Sequence, residues 1–136
     1  MISAITNQGK LRFMFYRGSM NQKKLKEFII RLIKGNNGKK VFLILDNLSS
    51  HHGIMLHRWL SDKKEKIQLF FLPSYAPEYN PDEYLNGNLK REMAKLKAAK
   101  TVEELESNAR GIVKKFQCQP SHVASFFKNK WVLYAS

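Results

Sequence analysis

Cysteine, long apolar runs and acidic residues are all scarce in this chain of 136 residues. The single Cys118 excludes an internal disulfide and a cysteine-rich zinc site. No apolar run approaches the roughly 20 residues needed to span a bilayer, and the first residues lack the basic flank and long apolar core of a signal peptide. The sequence therefore predicts a cytoplasmic protein of a reducing compartment, with no membrane partner.

The shortage of acids leaves a large positive charge. Twenty-four Lys and Arg face eleven Asp and Glu, a formal net charge of +13, which predicts a polyanionic partner. Nucleic acid is the first candidate, with ribosomal RNA and an anionic membrane surface as competitors. With 43% hydrophobic residues, including nine Phe, the composition favours one packed domain over residues 1–136.

The first half of the chain alternates strand and helix patterns. Two β-rich runs at 2–6 and 11–16 predict a hairpin, with Gly9 in its turn. Asn21 caps a predicted helix that Gly35 ends. The apolar stripe of this helix consists of Leu25, Phe28, Ile29, Leu32 and Ile33. A predicted strand at 41–45, helix at 52–64 and strand at 67–72 form a βαβ unit. The first of these strands lacks polar alternation, which predicts cover on both faces.

The last third of the chain is predicted to be helical. Thr101 and Glu104 have the spacing of a capping box. The residues expected to pack are the stripes of two successive helices and the aromatic residues near the C-terminus: Leu85, Leu89, Met93, Leu96, Leu105, Ala109, Ile112, Val113, Phe116, Phe126, Phe127, Trp131 and Tyr134. In the βαβ helix the expected buried residues are Met55, Leu56, Trp59 and Leu60.

Two acidic positions stand out as candidate metal ligands. Asp46 and Asn47 follow the strand at 41–45, and a Pro-rich loop after the next strand leads to Glu83. Ligands collect beyond the carboxyl ends of strands in open α/β sheets, so Asp46 and Glu83 are predicted to meet at one rim. Carboxylate oxygens suit Mg²⁺ or Mn²⁺. The alternatives are that Glu83 only closes a capping box after Asn80, and that Asp46 is a solvated strand end.

Other polar residues have weaker signals. His51 and His52 can help to position a phosphate or a metal-bound group, or simply belong to a surface loop. Tyr75 and Tyr79 in the Pro-rich loop are candidates for stacking on bases, whereas Phe70 and Phe71 are expected in the core.

Several spaced motifs resemble one known family. The segments VFLILDNLSSHHG, LFFLPSYAPEYNPDEYLNGNLKRE and SFFKNKWVLYA look like the C-terminal part of mariner-like bacterial insertion-sequence transposases of the DDE superfamily. The resemblance implies an RNase H-like fold, a mixed sheet with flanking helices, and three acids that hold two divalent ions for DNA cleavage and strand transfer. By motif, Asp46 is the second catalytic Asp and Glu83 the catalytic Glu, while Asn47 and His51 take supporting roles.

The family's first catalytic Asp has no counterpart here, because no Asp occurs before Asp46. We therefore expect a truncated fold without the first central strand. It would be inactive alone and would act on transposon ends and target DNA together with a missing N-terminal half or a second copy. Such a protein would be associated with the bacterial nucleoid. The phosphate contacts are expected on the helix after Glu83: Lys90, Arg91, Lys95 and Lys97.

Two rival functions remain open at this stage. One is a non-enzymatic, basic DNA-binding or regulatory remnant of a transposase, and the other is a basic protein associated with RNA. The four basic residues after Glu83 can equally form a solvated helix face.

Overall fold

The chain forms two compact units in the computed structural model, which describes residues 1–47 and 52–136. The first unit comprises Met1–Ile2 and Tyr16–Pro77, and the second comprises Ser3–Phe15 and Glu78–Ser136. The strands and α-helices, in chain order, are β1 (Ile2–Ile5), β2 (Leu11–Met14), α1 (Gln22–Lys34), β3 (Val41–Leu45), α2 (Ile54–Ser61), β4 (Ile67–Phe71), α3 (Pro81–Ala94), α4 (Val102–Gln117) and α5 (Pro120–Ser125).

The strands form two small sheets in the described residues, where the sequence predicts one mixed sheet. β1 pairs with β2, and β3 pairs with β4. β3 and β4 run parallel, in register from Val41 opposite Ile67 to Leu45 opposite Phe71. The mixed α/β class and the parallel βαβ unit are therefore confirmed, whereas no strand in the described ranges joins the two sheets.

The two faces of the parallel sheet differ in burial within the described residues, so the prediction of cover on both faces is wrong. Leu43 and Ile67 are buried, but Phe42, Ile44 and Phe70 on the other face are 64%, 41% and 44% exposed. The Phe42 and Phe70 rings lie 6.4 Å apart, centroid to centroid, on this face. Phe70 is therefore not a core residue. An unbroken apolar run shows that both faces of a strand are apolar, but it does not determine whether other residues pack on both faces.

Helix α1 supplies half of the buried hydrophobic residues of the first unit and follows its sequence pattern. The Asn21 side chain accepts a hydrogen bond from the Lys24 N–H at 2.9 Å, as predicted for an N-cap. The buried hydrophobic residues of this unit are Leu25, Phe28, Ile29, Leu32, Leu43, Leu56, Ile67 and Leu72. Except for Ile33, which is half-buried, the predicted stripe of α1 is thus confirmed.

Helix α2 is shorter than predicted, because Gly53 precedes it and Ser61 ends it. At eight residues it spans about two turns, and of its predicted buried side only Leu56 is fully buried; Met55 is 71% exposed. Its cap comes from α1: Gln22 Oε1 accepts the Leu56 N–H at 3.2 Å. A Cβ at Gly53 would lie 1.8 Å from the Gln22 side chain, so glycine makes room for this cap.

In the second unit, the turn between β1 and β2 depends on Gly9. Its φ of +84° confirms the predicted turn glycine, and its N–H donates to the Thr6 carbonyl at 2.9 Å. A Cβ on Gly9 would meet the Pro120 carbonyl oxygen at 2.0 Å. The turn therefore packs directly on the start of α5, which the sequence pattern did not predict.

The helices of the second unit surround a core that reaches to the end of the chain. Thr101 accepts the Glu104 N–H at 3.1 Å, as predicted, but the Glu104 carboxylate accepts from the Lys100 N–H. The buried hydrophobic residues are Leu11, Met14, Leu85, Ile112, Val113, Phe116, Val123, Phe127 and Val132. Leu96 lies beyond the end of α3 and Leu105 in the first turn of α4, and both are exposed.

Candidate active site

The first part of the site lies at the carboxyl end of the parallel sheet. Asp46 and Asn47 follow β3 directly, as predicted. The Leu72 N–H donates to the Leu45 carbonyl at 2.7 Å, so pairing continues one residue past the end of β4. The loops after β3 and β4 consequently leave the sheet at one edge, the place where such folds collect functional groups.

Asn47 connects both of these loops. Its Nδ2 donates to Ser74 Oγ at 2.8 Å, and its Oδ1 is hydrogen-bonded to Nε2 of His52. Because an amide oxygen only accepts, Nε2 of His52 must carry the hydrogen. With both ends of its amide hydrogen-bonded, Asn47 connects the loop after β3 to the loop after β4.

His52 is the histidine that the described residues bring to this edge. Its ring lies 4.3 Å from that of Phe71, centroid to centroid, which fixes its plane against the end of β4. The residue predicted for the supporting role, His51, lies outside the described residues. The motif resemblance favoured His51, whereas the local sequence alone did not distinguish the two adjacent histidines.

The second part of the site is the start of α3. Asn80 Oδ1 accepts the Asp82 N–H at 3.0 Å and Pro81 occupies the first helical position, so the predicted helix start is confirmed. Glu83 is exposed, and its carboxylate has no hydrogen-bond partner among the described residues. The alternative in which Glu83 closes a capping box is therefore wrong, because Asn80 caps the helix without it.

Asp82 has a structural contact that sequence inspection missed. Ser3 Oγ lies 2.8 Å and 2.9 Å from the two carboxylate oxygens of Asp82. This contact links β1 to the first turn of α3, next to Glu83. The two residues are 79 positions apart, and neither belongs to a motif that would have paired them.

The four basic residues proposed for phosphate contacts are not equivalent. Arg91 donates to Asn88 Oδ1 at 2.5 Å, and Lys95 pairs with Glu92 at 2.5 Å. The hydrogen bond from Lys95 lowers the pKa of the Glu92 carboxyl. Lys90 and Lys97 are exposed. Helix α3 ends at Ala94, so Lys95 and Lys97 lie past the helix on which they were predicted.

The two loop tyrosines also differ. Tyr75 is fully exposed with a φ of +56°, a conformation that is uncommon for a residue with a side chain. Tyr79 is half-buried, and its ring packs edge to face on Trp131 at 5.7 Å. Trp131 and Tyr134 were expected in the core, but they are 43% and 52% exposed.

The donor atoms fit a hard divalent ion in type. Asp46 and Glu83 offer carboxylate oxygens, which Mg²⁺ and Mn²⁺ prefer. Asp46 belongs to the first unit and Glu83 to the second. Within residues 1–47 and 52–136 there is no group of three or more His, Cys, Asp or Glu side chains that could hold a metal ion.

Comparison with known protein families identifies the class. A family model described as DDE superfamily endonuclease matches residues 1–106. The match covers most of the chain and includes both Asp46 and Glu83, so the chain belongs to this family. Nucleases of this superfamily generally use divalent metals and act on DNA.

Other comparisons add no closer relative. A search of curated proteins and a search of solved structures each returned no match. None of the helices in the described ranges has the length and apolar character required to traverse a bilayer.

Proposed function

We propose that this chain is the catalytic part of a mariner-like insertion-sequence transposase, with a truncated RNase H-like fold. It would take part in cleavage and strand transfer of DNA phosphodiesters. The family match over residues 1–106 carries the proposal, and the net charge of +13 supports a DNA substrate. We further propose that both units belong to one catalytic domain over residues 1–136.

Asp46 and Glu83 are the proposed metal ligands. When bound, two Mg²⁺ or Mn²⁺ ions would activate a water or 3′-hydroxyl and stabilise the leaving oxygen. Support for Glu83 is its exposed carboxylate, which has no partner among the described residues. Support for Asp46 is its position directly after β3, at the edge where Asn47 connects the neighbouring loops.

The remaining predicted site residues fall into two roles. Asn47 would hold the loop that carries Asp46, with His51 as its proposed companion. DNA contacts are proposed for Lys90, Arg91, Lys95, Lys97, Tyr75 and Tyr79. Lys90 and Lys97 are the strongest of the basic candidates, because they are exposed while the other two already have side-chain partners.

A third carboxylate must come from another segment or another polypeptide. Before Asp46 the sequence contains a single acid, Glu27. Glu27 pairs with Arg31 at 2.7 Å on the exposed side of α1, so a ligand role for it has no support. The polypeptide of residues 1–136 is therefore expected neither to cleave nor to join DNA, and a second segment or copy would complete the site.

Mn²⁺ titration followed by electron paramagnetic resonance tests the ligands without requiring catalysis. We expect weak binding by the wild-type chain, and still weaker binding by Asp46→Asn and by Glu83→Gln. Glu78→Gln is the matched control, since it removes another exposed carboxylate of the second unit without touching the proposed site. Equal Mn²⁺ binding by all four proteins would refute the ligand assignment.

A nicking assay tests the predicted inactivity. Mg²⁺-dependent nicking by purified residues 1–136, abolished by Asp46→Asn, would show that two carboxylates suffice. The second candidate function is a non-enzymatic, DNA-binding regulator, which the net charge of +13 also supports. Equal, salt-sensitive DNA binding by wild type and an Asp46→Ala/Glu83→Ala variant, without a metal effect, would support that candidate. Stronger binding to RNA than to duplex DNA would favour an RNA-associated protein.

A further inference from the structure

Three aromatic side chains meet beside the start of α3. The Tyr79 and Trp131 rings pack at 80° with 5.7 Å between centroids, and Tyr134 Oη donates to the Tyr79 carbonyl at 2.6 Å. Tyr79 directly precedes the N-cap residue Asn80. These three residues, called here the C-terminal aromatic cluster, are therefore anchored on the loop that leads into Glu83.

The cluster is anchored yet remains open to solvent. Val132 is fully buried, while Trp131 and Tyr134 on either side are 43% and 52% exposed. The buried valine holds the segment in place, so the aromatic rings stay outside the core. Rings that are fixed and partly exposed lose little entropy on binding, which makes them good stacking surfaces.

Two lysines lie close in sequence to the aromatic residues of the cluster. Lys128 and Lys130 are exposed on the same segment, and Lys130 Nζ lies 4.9 Å from the centroid of the Trp131 ring. The ammonium lies over the ring, in a cation–π contact, and the combination of basic and aromatic side chains is the one that contacts phosphates and stacks on bases. No acidic residue occurs after Glu106 in the sequence, so no acidic side chain of this segment opposes a phosphate.

A cavity adjoins the same C-terminal segment. It has a volume of about 510 Å³, and its lining includes Lys128, Leu133 and the exposed amides Asn7 and Gln8. Amide groups can both donate to and accept from a base edge. The cavity therefore places polar groups that could contact a base next to Lys128.

We propose that the C-terminal aromatic cluster, with Lys128 and Lys130, binds unpaired nucleotides of single-stranded DNA. Stacking on these rings requires a base with a free face, which paired bases inside a duplex do not offer. The choice of DNA as ligand rests on the proposed function. A strand bound here would lie at the helix start that carries Glu83. Trp131 and Tyr134 lie within residues 107–136, outside the range of the family match.

Tryptophan fluorescence provides a direct test, because the chain has two Trp residues. In a Trp59→Phe variant, oligothymidylate should quench the Trp131 emission saturably. In the reciprocal Trp131→Phe variant, Trp59 is a matched control, since it also has a lysine over its ring, Lys26 at 5.2 Å. Quenching that is equal for the two tryptophans, or equal with polyphosphate in place of DNA, would overturn the proposal.

Affinity measurements separate stacking from charge. Trp131→Ala should weaken oligothymidylate binding about five- to 150-fold, the range of one base–aromatic stack, with a much smaller effect on duplex DNA. Trp131→Phe should retain most of the affinity, which excludes a folding defect as the cause. Unchanged oligothymidylate affinity in Trp131→Ala, or tighter binding of oligouridylate by wild type, would refute the proposal.

The proposed single-strand site can be tested independently of the proposed metal ligands. An Asp46→Asn/Glu83→Gln variant should bind oligothymidylate at least as tightly as the wild type, since neither carboxylate belongs to the cluster and their loss removes no contact to the strand. If it does while Mn²⁺ binding is unaffected by the same substitutions, the single-strand site stands and the metal assignment fails. If Trp131→Ala alone has no effect, the single-strand site fails whatever the metal result.

Discussion

Replacing Ser3 by Ala tests whether β1 holds the first turn of α3 in place. The hydroxyl has one hydrogen, so its two close contacts to Asp82, at 2.8 and 2.9 Å, amount to one shared, charge-assisted hydrogen bond. Such bonds contribute about 1.5–3 kcal/mol. Because both residues are half-buried and water can partly replace the lost donor, we expect the lower part of that range, about 1.5–2 kcal/mol.

A double-mutant cycle isolates this bond from the other effects of Asp82. Asp82→Ala should cost more than Ser3→Ala, because it also removes a negative charge from a helix N-terminus, worth about 0.3–1 kcal/mol. Urea unfolding of wild type, both single variants and the double variant gives the coupling energy. We expect coupling of about 1–2 kcal/mol, within the range found for residues in contact.

A second serine provides the control for this cycle. Ser61 Oγ donates to the Arg58 carbonyl within α2, an exposed and local bond. Ser61→Ala should change the free energy of unfolding by no more than about 0.5 kcal/mol. If Ser3→Ala costs no more than this control, or if the coupling with Asp82→Ala is near zero, the contact does not hold α3 and the reasoning is refuted.

Two further substitutions test the second unit. Gly9→Ala should destabilise the chain by more than about 1–2 kcal/mol in urea unfolding, since the left-handed backbone alone costs that amount and the new Cβ would meet the Pro120 carbonyl oxygen; a loss below 0.5 kcal/mol, a typical surface effect, would contradict the close approach. Burial raises the pKa of the Tyr134 phenol, so its neutral form is favoured in the folded chain. Its stabilising contribution is complete below the unfolded pKa of about 10 and is lost as pH rises through the higher folded value. A spectrophotometric phenolate titration of Tyr134→Phe should lack the most alkaline component of the wild-type curve, and an unchanged curve would refute this assignment.

The elements that sequence predicted well are those whose signals are local. The α1 stripe and its Asn21 cap follow from the helical period and from a side chain acting three residues away. The β3 bounds match because an apolar run between polar residues has clear limits. The prediction of burial failed where burial depends on distant packing: Phe42 and Phe70 look like core residues in the sequence, but they are exposed in the structure.

In the candidate site, too, the local features could be predicted and the long-range contacts could not. Asp46 and Asn47 after a strand, and the helix start at Asn80, could be predicted from local pattern. The contacts of Ser3 with Asp82 and of Trp131 with Tyr79 could not, because they join residues 79 and 52 positions apart. That Asp46 and Glu83 share one metal site stays a prediction, to be tested by the Mn²⁺ titration.

The second unit's discontinuity in sequence affects how the chain can fold during synthesis. The Leu11 carbonyl accepts a hydrogen bond from Gln117, 106 residues later, whereas most of the first unit is one continuous stretch, Tyr16–Pro77. At about 5–20 residues per second on the ribosome, the emerging β1–β2 hairpin must wait several seconds for its partners. The first unit can then form before the hairpin docks, and Leu11 and Met14, which are buried in the folded chain, stay accessible to chaperones during that interval.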